Sequence, residues 1–248
     1  MLFSVNQLQQ ALSNHAFVPF YQPIINNINK EIVGCEILAR WNHPEKGLLN
    51  AGYFIESIES NELTGNLTRS LMSDVLSTAN DIHHAEAAKF FLTININLSL
   101  VMSPVFRHYM LTLNNQLILA GLTPVFEITE REDIRDFPGA AEVFSELVDQ
   151  GLTFAVDDFG TGYASEALLD VTHSAFIKID RAFTADPHNS VISKVLTLAH
   201  ESGACVIAEG VESAEQADWL QMRGVDYLQG YHCGMPVSAE RFCRQLDS

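Results

Sequence analysis

Short apolar segments alternate with helical segments along most of the chain, and a polar side chain stands at or near the end of most of them. The order strand, helix, strand is regular from residue 90 onward, in segments such as FFLTININLS, PVFEITE and FAVDDF. Earlier in the chain, AFVPFYQPIIN and EIVGCEILARW are joined only by the short segment NNINK. A parallel crossover needs a dozen or more residues, so these two strands are predicted to pair antiparallel.

This alternation predicts eight strands and an α/β fold. A (β/α)8 TIM-like barrel with an antiparallel first strand, formed by residues 1–248 as a single domain, is favoured over a doubly wound open sheet. The polar residues decide between the two, because only a closed barrel brings seven strand ends around one mouth. These residues are Glu36, Asn97, Glu127, Asp157, Lys178, Glu209 and Gln229.

Local signals place the helices and loops between the strands. Ser4 with Gln7, and Ser213 with Gln216, have the spacing of capping boxes and predict helix starts. Residues 54–75 are predicted to form one long amphipathic helical region. The segment NHPEKGLLNAG is predicted to be a loop, and residues 159–168, which begin FGTG, to be a mobile loop.

Two adjacent carboxylates, Asp157 and Asp158, end the segment FAVDDF. Successive side chains of a strand point to opposite faces, so one of the two would normally enter an apolar core. The pair is therefore expected at a strand end beside a cation. An Asp-rich turn is the alternative for such a pair considered alone, and the pattern of the other strand ends favours the cation.

Composition limits the ligand and the compartment. The net charge of −17 argues against binding to a DNA or RNA polymer, but a small phosphorylated ligand remains possible if divalent cations lie between it and the carboxylates. The four cysteines form no CxxC pair, which favours a reducing compartment. The sequence also lacks an apolar run of membrane-spanning length and a signal-like N-terminus, so a cytoplasmic location is predicted.

The polar strand ends predict a centre for hard metal ions. Carboxylate and amide oxygens suit Mg²⁺ or Mn²⁺, and their number suits two ions sharing a bridging aspartate, an arrangement that supports phosphoryl displacement. Lys178 is positioned to orient or deprotonate a water, and Arg40 to bind a phosphate. Considered alone, Glu127 could be a simple strand-end charge and Lys178 a lysine whose ammonium reaches solvent. Burying seven such polar groups near one axis without a ligand, however, would be costly in free energy. The oxygen ligands are Glu36, Asn97, Glu127, Asp157, Asp158 and Glu209.

The ordered motifs YQPI, EILARW, NLS, EITE, DDFGTG, IKID, AEGVE and QGYHCGMP resemble those of the EAL-domain phosphodiesterases, which hydrolyse the bacterial second messenger cyclic di-GMP. The resemblance covers nearly the whole chain, from LQQALSN onward. It implies a (β/α)8-like barrel with two Mg²⁺ or Mn²⁺ ions and cleavage to the linear dinucleotide pGpG.

The resemblance also implies a role for each motif residue. The first metal would be held by Glu36, Asn97, Glu127 and Asp157, and the second by Asp157, Asp158 and Glu209. Lys178 would contact the catalytic water, so the catalytic set is Lys178, Glu36, Asp158 and Glu209. Gln22, Leu38, Arg40 and Gln229 would line the substrate site, and Glu130 would anchor the loop at residues 159–168.

Four departures from the family pattern bear on rate and regulation. They are Ile37 for alanine, Ala175 for a frequent aspartate, Cys233 for a common aromatic, and YASEALL in the mobile loop. Every ligand position is filled, which favours an active enzyme over a non-catalytic cyclic di-GMP receptor or protein-binding adaptor. An enolase-type barrel would explain the acids and Lys178, but not Asn97, the paired aspartates or the motif order.

The family also implies a homodimer whose interface lies near the mobile loop. If the chain is an excised module, a regulatory or membrane sensor domain is expected beside it, with this part on the cytoplasmic side.

Overall fold

The computed structural model describes residues 3–82, 90–129, 132–160, 165–186 and 189–247. Their strands form one sheet of nine, in which eight close into a ring in the order β1-β2-β4-β5-β6-β7-β8-β9 and β3 is added to β2. The first strand pairs antiparallel with β2 and β9, and the pairs from β2 through β4 to β9 are parallel. The strands are β1 Phe17–Asn26, β2 Ile32–His43, β3 Gly47–Asn50, β4 Phe90–Ile96, β5 Leu122–Thr129, β6 Thr153–Phe159, β7 Phe176–Ile179, β8 Cys205–Ala208 and β9 Tyr227–Gln229. The predicted barrel and its antiparallel first strand are confirmed.

The helices lie between the strands and cover the outside of the barrel. Capping boxes begin α1 at Ser4 and α10 at Ser213, as their sequences predict. Among the described helices, none combines the length and the apolar character needed to cross a membrane. The helices are α1 Val5–Ser13, α2 Ile55–Ser60, α3 Thr64–Ile82, α4 Leu98–Met102, α5 Pro104–Leu119, α6 Ala140–Asp149, α7 Ser165–Thr172, α8 Arg181–Thr184, α9 Ser190–Ser202, α10 Ala214–Arg223 and α11 Ala239–Leu246, with 3-10 turns at Ala51–Tyr53 and Ile134–Asp136.

Three local predictions are wrong. The predicted loop after Trp41 contains β3, because Gly47 takes a φ of +70° and lets the chain return along β2. The predicted long helical region is divided into α2 and α3, with Glu62 between them at a φ of +56°. Helix α7 begins at Ser165, inside the segment predicted to be a mobile loop; residues 161–164 lie outside the described part of the chain.

The barrel has two separate apolar layers. The larger lies between the sheet and the helices and includes Ile37, which follows inward-facing Glu36 on β2 and therefore points away from the barrel axis. The smaller fills the closed end of the barrel with Ile24, Phe91, Val125, Ala155 and Ile207. This plug occupies the positions two residues below the polar strand ends, so it forms the floor of the site.

Gly34 makes room for the plug. A methyl group at its Cα would lie 2.6 Å from the backbone oxygen of Phe91 and 2.9 Å from its ring. The absence of a side chain on β2 therefore lets the phenylalanine of β4 fill the barrel floor.

Candidate active site

A layer of polar side chains lies directly above the apolar plug. Because side chains alternate along a strand, each strand that contributes an apolar residue to the plug contributes a polar residue two positions nearer the mouth. Pairs of this kind are Val125 with Glu127, Ala155 with Asp157, and Ile207 with Glu209. The polar strand ends predicted from sequence are thus brought together inside the barrel.

Lys178 is the centre of this layer. Its ammonium lies 2.6 Å from Glu209 Oε1, 2.9 Å from Glu127 Oε1, 3.2 Å from Asp157 Oδ1 and 3.4 Å from Glu36 Oε2. The lysine side chain is 1% exposed. One cation therefore faces four carboxylates in a nearly closed space.

This imbalance of charge sets the pKa values. Burial opposes the charge of Lys178, but the surrounding carboxylates outweigh it and hold the pKa of the lysine well above its usual value. Burial raises the pKa of Glu127 well above its usual range and that of Glu209 to about 8, although Lys178 opposes both shifts. The layer therefore favours the charged form of the lysine and disfavours full ionisation of the carboxylates around it.

Glu36 accepts hydrogen bonds from two amide side chains of the site. Gln229 Nε2 donates to Glu36 Oε2 at 2.6 Å, and Asn95 Nδ2 donates to Glu36 Oε1 at 2.8 Å. Burial alone would raise the pKa of Glu36, but Lys178 and these two amides outweigh it and lower the pKa. Gln229 also donates to Gln22 Oε1 at 3.3 Å, which links β1 to the same network.

A bulge at the end of β6 brings both aspartates to the site. Val156 pairs with Ile177 and Phe159 with Ile179, so Asp157 and Asp158 together stand opposite Lys178 alone. Asp158 takes a φ of +55°, in the left-handed region that non-glycine residues seldom adopt. As a result, ligand atoms of Asp157, Asp158 and Glu209 lie within 4.8 Å of one another. The extra residue explains how neighbouring side chains of one strand serve the same centre.

Asn97 follows the last residue of β4 and caps helix α4. Its Oδ1 accepts a hydrogen bond from the backbone N–H of Leu100 at 3.0 Å, which fixes the side chain. Asn97 lines a cavity of about 270 Å³ together with Glu36, Leu38, Asp157 and Asp158. The amide oxygen is thus held at the edge of the carboxylate cluster.

A second cavity of about 260 Å³ opens on the other side of the polar layer and is lined in part by Gln22, Glu209 and Gln229. Arg40 lies four residues beyond Glu36 on β2, with its guanidinium carbon 5.4 Å from the centre of the Phe20 ring. Its Nη1 donates to the backbone oxygen of Ala39 at 2.9 Å. The two cavities meet at Glu36 and Asp157, which line both.

The donor set fits hard divalent cations. Glu127 Oε2 is buried and has no hydrogen-bond partner among the described residues, and Glu127 Oε1 and Asp157 Oδ1 have only the lysine ammonium within ion-pair distance there. Buried carboxylate oxygens without donors are costly unless a cation neutralises them. Oxygen ligands of this kind suit Mg²⁺ or Mn²⁺.

Ten predicted site residues are thus placed around one mouth, together with Arg40 on the outgoing part of β2. Glu130, the predicted loop anchor, lies outside the described residues, as does Thr161. The sequence analysis missed Thr93 and Asn95. Both were recognisable, since T-I-N-I-N in β4 alternates polar and apolar residues and places positions 93, 95 and 97 on one face. Thr93 is fully buried and pairs in register with Glu36.

Comparison with known proteins identifies the family. The model of the EAL domain family matches residues 5–236. The chain belongs to the EAL domain family. The cyclic di-GMP phosphodiesterase PdeL of Escherichia coli (strain K12) is 35% identical over 237 residues, which cover 94% of this chain and 66% of PdeL. The cyclic di-GMP phosphodiesterase RocR of Pseudomonas aeruginosa is 32% identical over 96% of this chain and 62% of RocR.

Solved EAL structures have the same fold. EAL enzyme Bd1971, with cAMP and cyclic di-GMP bound, superposes with a TM-score of 0.87 at 32% identity and covers 97% of this chain and 67% of its own. The PaMucR phosphodiesterase in complex with c-di-GMP has a TM-score of 0.81 at 27% identity, over 96% of this chain and 98% of its own. This EAL chain spans between about half and two thirds of the length of the first curated relatives it matches.

Proposed function

We propose that this EAL chain hydrolyses cyclic di-GMP to linear pGpG with the help of two divalent cations, Mg²⁺ or Mn²⁺. The observation that carries the proposal is the polar layer around Lys178, with four carboxylates within 3.4 Å of its ammonium and Asp158 added by the bulge. Relatives named cyclic di-GMP phosphodiesterases support the substrate. Hydrolysis would lower the concentration of a bacterial second messenger.

The metal ligands are proposed to be those that the family resemblance implies. Glu36, Asn97, Glu127 and Asp157 would hold one ion, and Asp157, Asp158 and Glu209 the other. Bound there, the two cations would activate water for attack and neutralise charge on the phosphate. The orphaned oxygens of Glu127 and Asp157 support this assignment, because a cation would satisfy them.

The chain's own residues then have distinct tasks. Gln22, Leu38 and Gln229 line the mouth and orient the dinucleotide, and the guanidinium of Arg40 binds a phosphate oxygen. A charged Lys178 donates a hydrogen bond that holds the attacking water in line with the phosphorus. Since a protonated lysine cannot accept a proton, that role falls to a carboxylate oxygen.

The bond changes follow from the product. The water oxygen bonds to phosphorus while the bond from phosphorus to the ribose 3′ oxygen breaks, because pGpG keeps its terminal phosphate on a 5′ oxygen. One proton of the water passes to a carboxylate of Asp158 or Glu209, which returns it to the leaving 3′ oxygen, so that this oxygen ends as a hydroxyl.

Incubation of the purified chain with cyclic di-GMP and Mg²⁺ or Mn²⁺, followed by chromatography, tests the proposal. We expect pGpG to form, to require the metal, and to disappear in Asp157→Asn. A protein that binds cyclic di-GMP with metal present and never releases a linear product would instead be a receptor. The surface variant Lys194→Met serves as a control, since Lys194 pairs with exposed Glu166 on the outer helices.

The remaining expectations from sequence belong to the same proposal. Residues 1–248 act as one domain in the cytoplasm, as a homodimer, with Glu130 coupling the loop after β6 to the site. A regulatory or sensor domain would accompany it in a longer protein. Light scattering across a range of protein concentrations, with activity measured on the same samples, tests the dimer.

A further inference from the structure

Glu36 is held from two opposite sides by amide groups. Gln229 on β9 donates to one carboxylate oxygen at 2.6 Å, and Asn95 on β4 donates to the other at 2.8 Å. An amide nitrogen can only donate a hydrogen bond, so Glu36 is the acceptor in both contacts. The carboxylate plane of Glu36 is therefore fixed by two contacts across the width of the barrel mouth.

Asn95 is placed for this contact by the register of β4. Thr93 pairs with Glu36 across β2 and β4, and Asn95 is the next side chain on the same face, one step nearer the mouth. Its own register partner on β5 is Glu127. Asn95 thus lies level with Glu127 on the neighbouring strand, one step nearer the mouth than Glu36, and reaches Glu36 from the solvent side.

Asn95 is exposed, whereas Glu36 is 7% exposed. An exposed asparagine can satisfy its amide with water and has no need of this contact to keep the chain folded. Its donation to a nearly buried carboxylate is thus of more consequence to Glu36 than to Asn95. Without it, Glu36 Oε1 would lose its neutral donor while Oε2 kept both Gln229 and Lys178.

We propose that Asn95 is a positioning residue that orients Glu36 for cation binding, acting as the counterpart of Gln229 on the opposite side of the carboxylate. This inference rests on the proposed function in so far as Glu36 is a metal ligand. Partners that orient metal ligands typically change metal affinity or activity by about 10- to 100-fold when they are removed.

The test is Mn²⁺ binding measured by titration calorimetry, with no nucleotide present. Asn95→Leu keeps a side chain of similar size and removes the donor. We expect the Mn²⁺ affinity of this variant to fall about 10-fold or more. Its melting temperature in the presence of chelator should stay near that of the wild type. The matched control is Asn29→Leu, because Asn29 Nδ2 donates to Glu31 Oε2 at 2.6 Å in the exposed turn between β1 and β2. This control should bind Mn²⁺ as the wild type does.

A second comparison separates action through Glu36 from direct action. In a Glu36→Gln background, where Asp157, Asp158 and Glu209 remain to bind an ion, Asn95→Leu should cause no further loss of affinity. Wild-type Mn²⁺ affinity in Asn95→Leu, or an equal loss in both backgrounds, would overturn the proposal.

Turnover distinguishes this inference from the proposed function. If the wild type forms pGpG, excess Mn²⁺ should restore the kcat of Asn95→Leu, whereas a lasting deficit at saturating metal would overturn a role in orientation alone. If the wild type forms no pGpG but Asn95→Leu weakens Mn²⁺ binding, the proposed reaction is wrong and the positioning role of Asn95 stands.

Discussion

Replacing Lys178 by methionine should make the folded chain depend on metal. Methionine is unbranched and of similar length, so it fills much of the same space without the charge. In the wild type, the ammonium lies between 2.6 and 3.4 Å from four carboxylates, two of which have a raised pKa because they are buried. The variant leaves these carboxylates facing one another with no cation among the described side chains of the layer.

The magnitude follows from the burial of the group. Breaking a buried ion pair by removing one partner costs about 3–5 kcal/mol, because an uncompensated charge stays in the interior. For a chain of this size, about 1 kcal/mol corresponds to roughly 2–4 °C in melting temperature, so a decrease of about 6–20 °C is expected in chelator. The decrease should be greatest near pH 8, since proton uptake by Glu127 and Glu209 relieves the repulsion at lower pH.

The assay is a thermal melt at pH 8 in chelator and again in excess Mn²⁺. We expect Mn²⁺ to recover most of the lost stability in Lys178→Met and to raise the wild type less, while turnover stays lost in the variant. Lys194→Met is the control: its side chain is 64% exposed and pairs with an exposed glutamate, so its loss should cost about 0–1 kcal/mol. If Lys178→Met melts with the wild type in chelator, the ammonium does not neutralise the carboxylate layer.

Three further predictions follow from the same geometry. The pKa of Glu209 is raised in the folded state from 4.5 to about 8, so the stability that this group confers is complete below pH 4.5 and is lost as the pH rises towards 8. Denaturant unfolding in chelator should therefore show the free energy of unfolding falling by up to about 1.4 kcal/mol per pH unit over this range. A free energy of unfolding that rises with pH there would contradict this. Glu127→Gln puts a neutral amide where burial already disfavours charge; its melting temperature in chelator should equal or exceed the wild-type value, and the increase given by Mn²⁺ should shrink. Gly34→Ala forces a methyl group against Phe91 and should cost about 1–3 kcal/mol, or about 2–12 °C, whereas unchanged melting would show that the floor can yield.

The barrel and most of its polar layer could be predicted because their signals are local. Alternating strands and helices, with a polar residue at the end of most strands, favour a closed sheet, and the short connection before β2 requires an antiparallel first strand. The segment that contains β3 is predicted to be a loop because a four-residue strand has too few positions to show alternation. Its pairing depends on Gly47 and on the neighbouring strand.

Other features depend on distances that sequence spacing does not contain. The convergence of Asp157 and Asp158 needs a bulge relative to β7 and a left-handed backbone, neither of which the letters DD reveal. The number of carboxylates around Lys178 is set by the barrel's closure. Asn95 differs from these, since its alternation with Asn97 is visible in the sequence, whereas its contact with Glu36 is set by the register of β4 against β2.

The separation of the barrel interior into an apolar floor and a polar upper layer bears on how descendants of such a chain can diverge. Phe91 and Val125 belong to an apolar cluster that is separate from the polar layer, so substitutions in that layer can change the proposed chemistry while the floor of the barrel keeps its own contacts. A gene duplicate released from selection for turnover could exchange Glu127 for a neutral residue in a single step and gain tolerance to metal depletion. A substitution that removes the proposed activity would then not cost folding stability, and an inactive copy of the barrel could acquire a binding role instead.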